Sequence, residues 1–183
     1  QQKLAALKDA LLPCGQIETL VGSVASDAEA NELCGKAMRL AGTLDAVVTS
    51  INTPIHTKPL SQFDSNEFAE QLRGNLVVHF TAARPFIPTI ADGGTYLAIG
   101  GGMADIVIPG YGISSTVQGG LRNMLRMIAR EGRGGPVNIR ELLVCSMITP
   151  LPDGDKDHPD WLTGLECGRH VRAVIEEPGR FPG

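Results

Sequence analysis

Four polar side chains that could take part in acid–base chemistry occur close together at Tyr111, Ser114, Ser115 and Gln118. Tyr111 carries a phenol, and a phenol can act as a general acid near neutral pH when an adjacent ammonium group lowers its pKa from ~10. One helical turn after Tyr111 the chain has Ser115, which has no charge. Ser114 offers an aliphatic hydroxyl, which is a far weaker acid, and Gln118 carries no cation. The residue types in this segment therefore predict no tuned proton donor.

The glycines do not form a recognisable phosphate-binding turn. Such a turn joins a strand to a helix, and its glycines let the backbone approach a pyrophosphate at the helix N-terminus. The sequence contains no GxxxGxG motif, and the run 100–102 follows an apolar segment, where consecutive glycines indicate a tight exit from a strand. We therefore expect no cofactor-binding residues in this chain.

The cysteines predict neither a metal site nor a disulfide framework. The four cysteines show no CxxC spacing, and neither His158 nor His170 makes a zinc-ligand pattern with Cys167. We interpret all four as reduced thiols of a cytoplasmic protein; they are Cys14, Cys34, Cys145 and Cys167.

Charge and hydropathy exclude two classes of partner. The net charge is −4, and no cluster of Lys and Arg supplies the positive surface that duplex binding requires. No apolar run reaches the ~20 residues that cross a bilayer. The sequence therefore predicts a protein that binds neither nucleic acid nor membrane.

Apolar segments rich in Val, Ile and Leu alternate with segments of helical period, a pattern typical of an α/β fold with a parallel sheet. At 183 residues the chain is expected to form a single domain, 1–183. Four strands are few for such a sheet, which indicates a reduced one. The predicted strands are 17–24, 44–50, 95–101 and 137–144, and the predicted helices are 3–12, 27–41, 61–90, 115–131 and 161–176.

Three segments carry a resemblance to the short-chain dehydrogenase/reductase family. The segment GTLDAVVTSIN, 42–52, resembles the family's strand and Asn-Asn-Ala-Gly motif. The segment RGNLVVHF, 73–80, resembles the family's helix that carries a structural and proton-relay Asn, here Asn75. The third segment, 118–144, is similar to the catalytic helix with its following loop and strand. Over residues 3–176 the resemblance implies a Rossmann-like, doubly wound parallel sheet, reduced or truncated at the N-terminal nucleotide-binding end.

The resemblance also implies that the catalytic residues are degenerate. The family uses a Tyr, a Lys four residues later and a Ser thirteen residues before the Tyr. Aligning Ala129 and Glu131 with the catalytic helix puts Ser114 at the Tyr position, Gln118 at the Lys position and Gly101 at the Ser position. Asn75 matches its family position, although a structural Asn would look the same in sequence.

Tyr111 could instead take the catalytic Tyr position if the register shifts by three residues. Ser115 would then stand where the Lys belongs. This register leaves the same cation missing, and we expect a loop aromatic beside Pro109 and Gly110 rather than a catalytic group.

The implied function is that of a non-catalytic subunit beside an active family member. In the family, the helices equivalent to 61–90 and 115–131 form subunit interfaces, so we expect the active partner to bind there. Because this chain lacks the residues that bind a cofactor, NAD or NADP would bind in the partner. One such two-subunit dehydrogenase acts on a hydroxyacyl-CoA. The apolar residues expected in the interface are Phe68, Leu72, Leu76, Leu121, Met124 and Leu125.

Two other functions remain open. One is an active NAD(P)-dependent oxidoreductase whose glycine-rich motif lies outside this sequence, which does not begin with Met. The other is a stand-alone module that binds a metabolite in the degenerate pocket.

Overall fold

Three parallel strands form the central sheet of this computed structural model, which describes residues 2–11, 13, 15–132, 135–150 and 154–181. Their order is β1-β2-β3, with Val47 opposite Tyr96 and Tyr96 opposite Ile139. A separate pair of short parallel strands, β4 and β5, brackets residues 150–161. The strands are β1 (Leu44–Thr49), β2 (Ile90–Gly101), β3 (Asn138–Val144), β4 (Ile148–Thr149) and β5 (Leu162–Thr163).

The described ranges contain six α-helices: α1 (Gln2–Leu11), α2 (Asp27–Ala41), α3 (Ser65–Leu72), α4 (Val78–Phe86), α5 (Gly112–Glu131) and α6 (Gly164–Glu176). Helix α5 covers one face, where Tyr96 and Ala98 pack against Leu121. The next residue after the core residue Ile139 points to the opposite face. That residue, Arg140, donates a hydrogen bond to the Pro178 carbonyl at 3.0 Å, so the segment after α6 lies on the second face. The α/β fold is as predicted.

The N-terminal helices follow local sequence signals. The Ser26 hydroxyl accepts a hydrogen bond from the Glu29 N–H, which satisfies a free donor at the start of α2. Gly42 ends that helix with a φ of +75°, a conformation that costs a glycine little. Both boundaries were predicted. Residues 12 and 14, and with them the interpretation of Cys14 as a free thiol, lie outside the described residues.

The predicted strand 17–24 is wrong. Residues 16–24 join no strand ladder, and the three described sheet strands leave this segment without a neighbour. Gly22 instead packs against α2, because a Cβ at Gly22 would lie 2.6 Å from Leu33 Cδ1. Apolar alternation shows that a segment has a buried side, but it does not show that a backbone partner is available.

The predicted helix 61–90 is interrupted rather than continuous. A 3-10 turn covers Leu60–Gln62, and α3 begins after Asp64, whose carboxylate accepts hydrogen bonds from two backbone N–H groups. A π-helical segment, Arg73–Val77, joins α3 to α4, and β2 begins at Ile90. The last helix begins at Gly164, after β5, rather than at Trp161.

Two residues of the expected interface lie in the core of this chain. Leu121 is 0% exposed and Leu125 is 3% exposed, and both belong to the cluster under α5. Leu76 and Met124 pack against the same cluster. The prediction that Leu121 and Leu125 contact another subunit is therefore wrong, because α5 turns this face toward its own sheet.

No described helix is long and apolar enough to cross a bilayer. Within the same residues, no group of three or more His, Cys, Asp or Glu side chains is arranged to hold a metal ion. Cys34 is buried, Cys145 is exposed and Cys167 is half-buried, and all three are free thiols.

Candidate functional site

The carboxyl ends of the three strands meet at one edge of the sheet. Thr49 lies opposite Ala98, and Gly101 lies opposite Val144. Helix α5 begins eleven residues after Gly101 along the chain. Open α/β sheets bind ligands at this edge. The fold therefore brings the predicted positions 101 and 118 to the part of the molecule where a site is expected.

Gln118 and Gly101 are in direct contact. The Gly101 N–H donates a hydrogen bond of 2.6 Å to Gln118 Oε1. A Cβ at Gly101 would lie 3.6 Å from Gln118 Cδ, which is ordinary van der Waals contact. The amide at the family's lysine position therefore satisfies the backbone at the family's serine position, and its carbonyl oxygen is already used.

The three hydroxyl groups near the start of α5 do not form a proton relay. Ser115 donates a hydrogen bond of 3.0 Å to the Ile106 carbonyl. Ser114 is half-buried and makes no side-chain hydrogen bond to another described residue. Tyr111 precedes the first turn of α5, and its side chain is 45% exposed. The structure thus places Tyr111 at the expected edge, without a lysine one turn away.

Asn75 lies inside the π-helical segment and holds the loop that follows β1. Asn75 Oδ1 accepts a hydrogen bond of 2.7 Å from the Thr53 N–H, and its Nδ2 donates to Thr53 Oγ1 and to the Gln71 carbonyl, both at 3.0 Å. Gly74 permits this approach, because a Cβ there would lie 2.6 Å from Thr53 Oγ1. Both polar atoms of the Asn75 side chain are therefore engaged, with two of the three hydrogen bonds fixing Thr53 and the third made to the Gln71 carbonyl.

Two further side chains on the same helical face hold the same loop. Gln71 Oε1 accepts a hydrogen bond of 3.2 Å from the His56 N–H. His79 Nε2 lies 2.9 Å from the Ile51 carbonyl, and because a carbonyl can only accept, Nε2 carries the proton. Burial lowers the pKa of His79, and the bond to Ile51 opposes this effect. The residue is therefore a packed, neutral histidine.

The second tyrosine of the chain cannot serve as an acid. Tyr96 is 0% exposed in the core beneath α5. Burial raises the pKa of Tyr96, and Thr49 beside it opposes this only in part. Tyr111 is consequently the one phenol of the chain that solvent reaches.

Sequence reasoning missed a charged cluster under α5. Arg122 forms an ion pair with Asp105, and its Nε lies 3.7 Å from Glu141 Oε2. Glu141 is 12% exposed, and its Oε1 has no hydrogen-bond partner among the described residues. Burial raises the pKa of Glu141, and Arg122 and Arg126 oppose the increase. The available signal was a carboxylate inside the apolar segment 137–144, where charge is rarely placed without a partner.

The residues at this edge do not fit a nicotinamide cofactor bound in the expected manner. The sequence has no lysine between Lys58 and Lys156, so no ammonium can reach a ribose from α5. Gln118 and Ser115, which stand at the two alternative lysine positions, both use their side chains on backbone groups. No described helix is preceded by a glycine-rich phosphate cradle of the required form.

A family model described as enoyl-(acyl carrier protein) reductase matches residues 1–166. No curated protein sequence matches the chain. The match covers more than half of the sequence and includes all three strands of the central sheet.

Solved structures share the fold at low sequence identity. A dehydrogenase/reductase from Sinorhizobium meliloti is 19% identical with a TM-score of 0.82, over 94% of this chain and 73% of that one. A short chain dehydrogenase from Mycobacterium smegmatis is 17% identical with a TM-score of 0.82, over 99% and 74%. A blue fluorescent protein from a metagenomic library, solved in complex with NADPH, is 18% identical with a TM-score of 0.72, over 88% and 69%.

Proposed function

This chain belongs to the short-chain dehydrogenase/reductase family, and from that membership we propose that it is a non-catalytic member that assembles with an active NAD(P)-dependent subunit. The active subunit would bind the nicotinamide cofactor and carry out the chemistry. This chain would contribute a folded scaffold and an interface.

One observation carries the proposal: the Gln118 amide accepts its hydrogen bond from the Gly101 backbone. In the first register this contact occupies the lysine position and leaves a glycine at the serine position. In the second register Tyr111 has Ser115 one turn later, and Ser115 is bonded to the Ile106 carbonyl. Both registers lack the cation that brings a phenol toward operating pH, and a positioned acid or base contributes ~10²-fold or more.

The proposed interface lies on the outer faces of the π-helical segment, α4 and α5. Val77, Phe80 and Met127 are apolar and between 43% and 51% exposed. Large apolar side chains that are exposed in a single chain are common at subunit interfaces. These residues replace Leu121 and Leu125 as the expected contacts, since the latter pair fills the core.

The proposed substrate class of the assembly is a hydroxyacyl-CoA, and the inactive subunit of hydroxybenzylsuccinyl-CoA dehydrogenase is the specific candidate. The support is the family resemblance together with the degenerate positions Gly101, Ser114 and Gln118.

An active oxidoreductase is the second candidate, favoured by the exposed position of Tyr111 at the start of α5. In that case a lysine or an equivalent cation must come from another chain or from a further segment. The two candidates differ in whether Tyr111 contributes to turnover.

Affinity purification from the native cell followed by mass spectrometry tests the assembly. The expected result is stoichiometric recovery of a second short-chain dehydrogenase/reductase with an intact Tyr and Lys. A Phe80→Glu variant should lose that partner, and a Leu165→Glu variant, which changes an exposed residue of α6, should retain it. Recovery of a homo-oligomer with its own dehydrogenase activity would contradict the proposal.

A further inference from the structure

Strand β3 lies at one side of the central sheet, and its outer edge faces no described strand. The Ile139 carbonyl accepts a hydrogen bond of 3.0 Å from Arg140 Nη1. The Leu143 carbonyl accepts one of 3.8 Å from Cys145 Sγ, which indicates that both carbonyls point away from β2. Successive residues of a strand present their backbone groups to opposite sides, so the N–H and carbonyl of Glu141 also point outward. No described group outside the ladder bonds to them, and the outer edge of β3 therefore carries free groups that can pair with an added strand.

Two cavities flank the outer edge of β3. The first has a volume of about 210 Å³ and lies between β3 and α5; its apolar lining is Leu125, Ala129, Ile139 and Leu143. The second has a volume of about 360 Å³ and lies between β3 and α6; its apolar lining is Leu142, Leu143, Val144 and Leu162. Side chains of a strand point alternately to the two faces of a sheet. An added strand would therefore place alternate side chains in the two cavities and remove apolar surface from water on both faces.

Helix α5 presents a row of arginines beside the first cavity. Arg122, Arg126 and Arg130 follow one another at intervals of four residues, so they lie on one side of the helix. Arg122 is paired with Asp105. Arg126 and Arg130 form no ion pair with a described residue, and Arg126 acts on Glu141 only by opposing the rise in its pKa. Although the whole chain has a net charge of −4, this side of α5 is positive, and carboxylates brought by a ligand would relieve the repulsion between its cations.

We propose that the outer edge of β3 binds an extended, acidic segment of a partner protein as an added strand. The free backbone groups supply the pairing, and the arginines of α5 call for carboxylates on the side chains that face this helix. The side chains that face α6 should be apolar, because Leu142, Val144 and Leu162 line that cavity. A second copy fits less well, since antiparallel pairing about Glu141, the middle residue of β3, would put two carboxylates directly opposite each other. The interface proposed for a dehydrogenase subunit uses other side chains, so the two proposals can fail separately.

Fluorescence anisotropy of the full chain with the fluorescein-labelled peptide GEVEVEVG tests the proposal. This peptide alternates glutamate with valine, as the two cavities require. The peptide GKVKVKVG reverses the charge, and GEVEVEVG with a methyl group on every peptide nitrogen cannot donate to a strand edge. Both control peptides should bind at least about tenfold more weakly than GEVEVEVG, because each loses one of the two kinds of contact.

Variants of the chain separate the charges from the backbone pairing. Arg126→Gln combined with Arg130→Gln should weaken the binding of GEVEVEVG at least about tenfold, because the carboxylates lose their partners. Arg39→Gln combined with Arg169→Gln changes two exposed arginines of α2 and α6 and should leave binding unchanged. Leu143→Pro removes an outward N–H at a strand edge, where proline is tolerated, and should also weaken binding. If Leu143→Pro does not fold, as judged by circular dichroism, the methylated peptide and the double arginine variant decide.

Amide hydrogen exchange locates the contact within the chain. GEVEVEVG should slow the exchange of the Glu141 and Leu143 N–H groups at least about tenfold, because these groups become hydrogen-bonded. Protection of the same two groups before any peptide is added would show that the chain itself or a second copy already covers the edge, and this result would overturn the proposal. No binding at about 1 mM peptide, or equal binding of GEVEVEVG and GKVKVKVG, would overturn it as well.

Discussion

The Gly101 N–H donates a 2.6 Å hydrogen bond to the side-chain oxygen of Gln118, across the junction between the sheet and α5. This contact predicts that Gln118→Ala lowers the free energy of unfolding by about 1–3 kcal/mol, because a half-buried N–H loses its acceptor. Urea denaturation measures the change. Asn123→Ala, at an exposed position of the same helix, is the matched control and should change stability by no more than about 0.5 kcal/mol. Equal stability of the two variants would show that water replaces the contact.

Replacing Gly74 by alanine should also change the stability of the fold. Alanine normally stabilises a helix by up to about 1 kcal/mol relative to glycine, and Gly119→Ala in α5 should do so because its nearest neighbour is 3.9 Å away. Gly74→Ala should instead destabilise the chain, since its Cβ would lie 2.6 Å from Thr53 Oγ1. Thermal unfolding compares the two variants.

A double variant checks the cause of that effect. Thr53→Ala removes the atom nearest to the new Cβ, so Gly74→Ala should cost less in this background than in the wild type. An unchanged cost would mean that the π-helical backbone, rather than Thr53, requires the glycine.

The buried imidazole of His79 should make the stability of the fold depend on pH. Its pKa is lowered in the folded chain from an ordinary 6.5. Well above pH 6.5 the His79 imidazole is neutral in both the folded and the unfolded chain, so its full contribution to stability is present. As the pH falls below 6.5 the unfolded chain takes up a proton that the folded chain does not, so stability decreases by at most about 1.4 kcal/mol per pH unit. Urea denaturation between pH 5 and 8 should show this slope in wild type and in His56→Gln, but not in His79→Gln. An identical slope in His79→Gln would contradict the assignment.

The proposed interface predicts a change in size without a loss of fold. Phe80→Glu and Met127→Glu should dissociate the assembly, because each puts a charge into a buried apolar contact. Both side chains are about half exposed in the single chain, so the circular dichroism spectrum should stay unchanged. Sedimentation velocity measures the size. Leu165→Glu is the control, and dissociation by that variant as well would place the interface elsewhere.

The fold could be predicted where a local signal and a tertiary partner agree. Ser26 and Gly42 bound α2 as expected, and β1 and β3 match predicted apolar runs closely. The segment 17–24 has the alternation of a strand, but pairing depends on a neighbour that periodicity does not encode. The break at Arg73–Val77 was also missed, because Asn75 and Gly74 interrupt the helix through contacts with Thr53, which is more than twenty residues away.

The candidate site could be predicted only in part. Residue types showed that no lysine follows Tyr111 or Ser114 by four positions. The hydrogen bond between Gln118 and Gly101 depends on the register of α5 against β2, and the burial of Leu121 depends on how α5 is rotated about its own axis. Neither can be predicted from residue types. Glu141 and Arg122 lie on separate elements, so their proximity comes from the packing of α5 on β3.

The central claim is tested most directly by the steady-state turnover of the native assembly carrying Tyr111→Phe in this chain. Turnover within about twofold of wild type is expected, with Ser114→Ala and Gln118→Ala behaving alike, because no lysine lies one turn after Tyr111 or Ser114 to lower the pKa of an acid. Replacing the catalytic Tyr of the active subunit by Phe should abolish turnover in the same assay. A fall of ~10²-fold or more caused by Tyr111→Phe, with the assembly shown intact by sedimentation, would contradict the account and identify this chain as a catalyst.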